Sequence, residues 1–293
     1  MRYDHTRLTI RERDLWEILD LAFVVLKTQF TPLLINCSLL WGPMMLINWF
    51  LLWGLIRYEQ TGEFVSRHCL AMSCLAIIQA PLATLGGTLF LGRNVFYDPL
   101  PPGKVLSDIV GLAPRWLWGF GVVRGVIPAW VLAWMIDPSE PFSAPEGWLI
   151  GLTFLVCVMR SFNAYLAEVL VLERSAYWVG KSQQSSVSRR LKMLRTSGSG
   201  DGISRMISLS LPTAFLCFVL AGNAWFGLRI VAGTNRFDMI FFSVCWTLAL
   251  GLCAMFWMVV NYLSYLDLRI RREGWELELQ LRGAAAELKE RTI

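Results

Sequence analysis

Two arginines sit where a cation is costly. Arg124 interrupts the apolar run Trp116–Ile136, and Arg160 interrupts the run Trp148–Leu172, which also carries Glu168. Ionisable residues inside membrane-length stretches are rare and mark polar cavities, partner charges or ion pathways. If the N-terminus lies inside, Arg124 is eight residues from the inner end of its run and Arg160 twelve from the outer end of the next. At about 1.5 Å per residue these depths are ~12 Å and ~18 Å, the same level in a hydrocarbon core ~30 Å thick. A guanidinium offers a planar fork of donors suited to carboxylate or phosphate. The pair, with Asn163 and Glu168, therefore makes a candidate anion or phospholipid site. The competing reading is that each arginine bonds helix carbonyls or snorkels to the interface. On one straight helix Glu168 stands ~12 Å along the axis from Arg160, too far to pair with it. It is expected instead near the inner surface, beside another polar group or a cytoplasmic base.

Other chemistry is thinly represented. The sequence contains no G-x-x-x-x-G-K-[ST], H-E-x-x-H or G-x-S-x-G, the patterns for phosphate cradles, zinc hydrolysis and the nucleophile elbow. Its two histidines, His5 and His68, lie outside the expected spans, and no span contains Asp. A Ser–His nucleophile or an aspartyl pair within the membrane is therefore not expected, and an unusual lipid transferase is the remaining enzyme reading. The seven cysteines all lie in apolar runs without a C-x-x-C pair, so they read as small hydrophobes rather than as metal ligands. No cofactor and no metal is expected.

The elements that must position Arg124 and Arg160 follow from composition. Of 293 residues, 55% are hydrophobic and 17% charged, with fourteen Trp and seventeen Phe; mean hydropathy is +0.50. A soluble domain averages about 45–50% apolar and about 25% charged, so the chain reads as an all-α integral membrane protein. Six runs have the length to cross a bilayer: Leu33–Ile56, Cys69–Leu91, Trp116–Ile136, Trp148–Leu172, Met206–Leu228 and Met239–Leu266. Pro81, Pro128 and the pair Gly86–Gly87 are the candidate breaks within them. No charged, apolar and cleavable segment precedes the first run, so a removable signal peptide is not expected.

Charge sets the orientation. Twenty-one of the 27 Lys and Arg fall in segments that are inner if the N-terminus is inside, four fall in the outer loops, and Arg124 and Arg160 complete the set. Positive charge is retained on the cytoplasmic side, so both termini are expected in the cytoplasm of a bacterial inner membrane. The expected organisation is a cytoplasmic N-terminus with an interfacial helix (1–32), a four-span region (33–172), a basic linker (173–205), a two-span region (206–266) and a cytoplasmic tail helix (267–293).

Asp14–Gln29 carries Leu15, Ile18, Leu19, Ala22, Phe23 and Leu26 on one face behind an Asp14–Glu17 capping pattern, and predicts an amphipathic helix lying in the inner interface. Pro32 separates it from the first span; alternatively it begins one long first helix. Lys104–Ala113 predicts a short surface helix ended by Pro114. Ser182–Gly202 is rich in Ser, Gly and base, and Ser197–Gly202 is its least structured part. Its basic residues suit anionic lipid, and no motif there points to nucleic acid. In the tail, Arg269, Arg271 and Arg272 are placed to meet lipid phosphates. Beyond them Trp275, Leu277 and Leu281 keep an apolar stripe that either docks a partner or anchors a solvated helix.

The run Tyr265-Leu266-Asp267-Leu268-Arg269-Ile270-Arg271-Arg272-Glu273-Gly274-Trp275-Glu276 resembles the C-terminal signature of a group of uncharacterised bacterial polytopic membrane proteins. Similar tails occur in membrane domains attached to glycerophosphodiester phosphodiesterases. The start, Arg11-Glu12-Arg13-Asp14-Leu15-Trp16-Glu17-Ile18-Leu19-Asp20-Leu21, and Ala167-Glu168-Val169-Leu170-Val171-Leu172-Glu173-Arg174 are similar to the same group. The resemblance implies a six-span fold and, as partners, a transglutaminase-like membrane protein and an AAA-type ATPase in an envelope assembly. It implies no phosphodiesterase activity, because that catalytic domain is not present. The leading expectation is a non-enzymatic membrane subunit or scaffold of such an assembly. The alternative is a permease or lipid-handling protein using Arg124 and Arg160.

Overall fold

The computed structural model describes residues 15–59, 66–95, 101–140, 142–173, 186–195, 199–232 and 244–273. Among them every regular element is helical. Helix α1 spans Leu15–Leu51, α2 Trp53–Glu59, α3 Ser66–Ala83, α4 Leu85–Asn94, α5 Pro102–Gly111 and α6 Ala113–Trp116. A π-helical segment, Leu117–Val123, leads to α7 (Val126–Trp134), followed by α8 (Ala144–Phe162), α9 (Leu166–Val171), α10 (Val187–Arg195), α11 (Ser199–Ala232) and α12 (Trp246–Glu273).

Among the described residues, three helices are long and apolar enough to cross a membrane: Leu15–Leu51, Arg67–Asn94 and Trp246–Ile270. The pair Ala113–Val123 and Val126–Trp134, bent by 55°, makes a fourth if it is one span. Among the described residues, three continuous spans and one broken one are therefore supported, and the expected six are not confirmed. Trp148–Leu172 is interrupted after Phe162, and in the fifth run the apolar helical stretch is Pro212–Gly227.

Arg67–Asn94 is the middle of the bundle. It is buried on nearly all sides, with α1, α7, α8 and α12 packed around it, as a helix apolar all round must be. Its small residues allow this. A Cβ on Gly86 would collide with the Asn36 carbonyl oxygen, and one on Gly87 would meet Met258 and Cys37. Gly86→Ala should therefore push α1 and α4 apart and cost about 1–3 kcal/mol. The control is Gly151→Ala, where nothing lies within 4 Å of the added atom. Thermal unfolding in detergent should show a lowered midpoint for the first variant only. Outward-facing Leu46, Phe50, Phe154, Phe215 and Phe218 are strongly exposed, surface that suits lipid far better than water.

Helix α1 continues through Pro32 instead of stopping there, and its kink falls at Gln29 (φ −120°, ψ 23°). Pro32 supplies no N–H to the Thr28 carbonyl and its ring crowds that oxygen, so the distortion appears just upstream of the proline. Before the kink Ile18, Leu19 and Ala22 are buried, and the Phe23 ring lies 4.9 Å from that of Phe256 on α12. The expected apolar face is present, and it packs on the bundle. The linker expectation needs correction, because Val187–Arg195 is helical and α11 already begins at Ser199. Arg190 in that helix makes a two-pronged ion pair with Glu173, at 2.6 and 2.9 Å, which ties Val187–Arg195 to the end of the α9 region.

Candidate functional site

Arg124 stands where its helix fails. The segment before it is π-helical and Gly125 is left-handed (φ +75°), a conformation in which any side chain would be strained. Gly119, Gly121 and Gly125 weaken the run. Pro128, the expected break, lies within the first turn of α7, where its missing N–H costs nothing. π-bulges of this kind are frequent at functional sites. The Arg124 side chain is 3% exposed. Its Nη2 donates to the Asn163 carbonyl oxygen, and the guanidinium stacks 5.2 Å from the centre of the Phe120 ring.

That carbonyl belongs to a second broken helix. Asn163 ends α8 in a non-helical conformation (φ −131°, ψ 57°), and α9 restarts at Leu166. A helix C-terminus leaves carbonyls without intrahelical partners and carries partial negative charge, so a guanidinium there satisfies both. The role falls to the backbone of Asn163, and its side chain is only half-buried. Arg160, one turn earlier, lies over the Trp257 ring at 5.3 Å.

The break between Phe162 and Leu166 makes the straight-helix geometry assumed between Arg160 and Glu168 inapplicable. Glu168 is 2% exposed and its Oε2 has no hydrogen-bond partner. Both Arg124 and Arg160 act on it electrostatically, and it in turn acts on Tyr262 of α12. The buried carboxylate thus shares with both arginines the region where two helices are interrupted.

Sequence reasoning missed three other polar clusters. Asn48 and Gln79 exchange two hydrogen bonds of 2.8 Å, and Trp130 Nε1 donates to Asn48 Oδ1 at 2.9 Å. At the end carrying the first two of the expected outer loops, Arg67 donates to the carbonyls of Asp137, Pro138 and Glu140 and pairs with Glu146 at 2.9 Å. Ser139 donates both its N–H and its hydroxyl to Asp137. These bonds, with Arg67 nearby, hold the Asp137 carboxyl below the usual carboxylate range. At the opposite end Tyr265 donates to Glu173 at 2.6 Å, beside the Arg190 pair. In the sequence neither the acidic loop after Ile136 nor Arg67 carries a signal for its partner, 70 or more residues away.

Of the expected phosphate contacts, Arg269 lies 6.0 Å from the Tyr265 ring. Arg271 and Arg272 are helical, but their side chains lie outside the described set. Trp275, Leu277 and Leu281 lie outside the described residues altogether. The seven cysteines are free thiols, and the described residues hold no group of three or more His, Cys, Asp and Glu able to bind a metal. No family model, curated protein or solved structure matches the chain.

Proposed function

We propose that the protein is a lipid-handling or permease-type component of a bacterial inner membrane. Its working point is the junction of Arg124, Asn163, Arg160 and Glu168, which takes an anionic group, with a phospholipid headgroup as the leading candidate. The carrying observation is the meeting of two interrupted helices at two arginines around a buried carboxylate with an unpartnered oxygen. Interrupted helices at depth are how transporters build ion and substrate sites, and buried charge at such a place is functional by default. With Glu168 ionised the three side chains sum to one net positive charge, which favours an anion. Both termini are assigned to the cytoplasm by the arginine distribution. The scaffold role, with a transglutaminase-like protein or AAA-type ATPase as partner, rests on the tail and on the resemblance, and no described contact favours it.

Arg160→Leu tests the proposal, because Arg160 is not the residue that caps α8. Native mass spectrometry of the full chain in mild detergent, with dioleoyl phosphatidylglycerol as the probe, should show about tenfold weaker retention than wild type, equivalent to one lost charge-assisted contact of ~1.4 kcal/mol. Unchanged retention in a folded Arg160→Leu protein would overturn the site.

A further inference from the structure

Two of the seven thiols meet. Helix α11 packs along α12, and only one face of α11 takes part. Cys217, Leu220, Ala221 and Ala224 are covered wholly or in part, while the adjacent Phe215 and Phe218 are 72% and 69% exposed. Residues three and four apart share one helix face, so this face is a single seam. Ala221 packs against Ala249 of α12, and both are buried. One turn away, the Cys217 and Cys253 thiols are hydrogen-bonded to each other. The two contacts together fix the register: one turn back along α11 meets one turn forward along α12, as in an antiparallel pair. Alanine at the crossing lets the two backbones approach closely, which brings the two short side chains beside it into contact.

Two sulfurs held in contact by a small-residue crossing need little movement to form a disulfide, whose Cβ atoms stand about 3.5–4.5 Å apart. The surroundings select the oxidant. Cys253 is buried and Cys217 half-buried, and the surface beside Cys217 is the outward Phe215–Phe218 face. A charged thiol or a water-borne oxidant pays heavily to enter such surface, whereas a lipid-soluble quinone partitions to it. We propose that Cys217 and Cys253 form an oxidation site for a lipid-soluble quinone, which converts the pair to a disulfide joining α11 to α12. Two S–H bonds break and one S–S bond forms. The two electrons and two protons pass to the quinone, which leaves as the quinol. The hydrogen bond between the thiols assists, because a donor to one sulfur stabilises it as the thiolate, the reactive form.

The bridge has a structural consequence. Trp257, whose ring carries Arg160, stands one turn along α12 from Cys253, so the disulfide fixes α11 beside that part of the bundle. The site requires α11 and α12 to lie in lipid. It does not depend on an anion at Arg124 and Arg160, so the two proposals fail separately.

The test uses the full-length chain in mild detergent, reduced and then incubated with ubiquinone-1, a fully substituted benzoquinone. The protein is denatured, labelled with N-ethylmaleimide and weighed by mass spectrometry. Reduced wild type should take a label on each of its seven cysteines. Quinone-treated wild type should take two fewer and regain them after dithiothreitol, and peptide mapping should join Cys217 to Cys253. Cys74→Ala, which removes a thiol near Cys157 instead, should still lose two labels on quinone treatment, whereas Cys253→Ala should lose none. Full labelling of quinone-treated wild type overturns the proposal, as does a bridge mapped to another pair or a loss that persists in Cys253→Ala. If Cys253→Ala fails to fold, the bridge mapped in wild type decides alone.

Discussion

Arg124→Leu should be the most damaging single change in the membrane region. It removes the donor to the Asn163 carbonyl at a part-buried helix end, and it takes away one of the two cations that act on Glu168. An orphaned buried acceptor costs about 1–3 kcal/mol, and a lost charge-assisted bond lies at the upper end of that range. A total on the order of 3 kcal/mol corresponds to a fall in thermal midpoint of roughly 6–12 °C for a chain of this size. Arg124→Lys should recover part of the loss, since an ammonium keeps the charge but not the planar fork that reaches a carbonyl while stacking on Phe120. Arg160→Leu should cost less stability, because that side chain is half-buried and rests on a ring. Thermal scans of the three variants in one detergent give the order directly. Equal midpoints for Arg124→Leu and wild type would show that the guanidinium does not hold the two broken helices together. The capping contact of Arg124 is what separates the two leucine changes.

Asn48→Leu should be the second large effect, for a different reason. Asn48 joins α1 to α3 through Gln79 and to α7 through Trp130, and both amide side chains are fully buried. Interhelical hydrogen bonds in membranes are worth about 0.6 kcal/mol on average and up to about 1.7, so losing three costs on the order of 2–4 kcal/mol. The single change also leaves the Gln79 amide unsatisfied. Replacing both partners by apolar groups of similar shape is close to neutral, so Asn48→Leu/Gln79→Leu should be more stable than Asn48→Leu alone. A double variant weaker than the single one would mean that Gln79 finds another partner and that the knot is not the unit.

The legible part of the fold was the part set by local composition. Runs of about twenty uncharged residues identify α1, the α3–α4 rod and α12, because the bilayer fixes that length. The kink near Pro32 follows from one missing N–H. The breaks around the candidate site were not legible. Pro128 looked like the disruptive residue in its run, but a proline in the first turn of a helix disrupts nothing; the break needs Gly125 at positive φ with Leu152 packed against it. Nothing near Asn163 in sequence announces that α8 stops there, because the cap that tolerates the stop is Arg124, 39 residues away. Asn48 and Gln79 are likewise 31 residues apart, and a lone amide in an apolar run has no pattern that names its partner. Arg124, Arg160 and Glu168 were found as charges where charge is costly. Their arrangement depended on two helix ends that only tertiary packing creates.

As proposed above, the chain crosses a bilayer with the Arg67–Glu146 end and the Glu173–Arg190 end on opposite faces and the arginine junction between them. Glu140 and Ser188 are both exposed at those two ends. Single-cysteine variants Glu140→Cys and Ser188→Cys, in a chain otherwise free of cysteine, can be labelled in intact cells and in inverted membrane vesicles with a membrane-impermeant maleimide. The account predicts labelling of Glu140→Cys only in intact cells and of Ser188→Cys only in inverted vesicles. Labelling of both from the same face would contradict it.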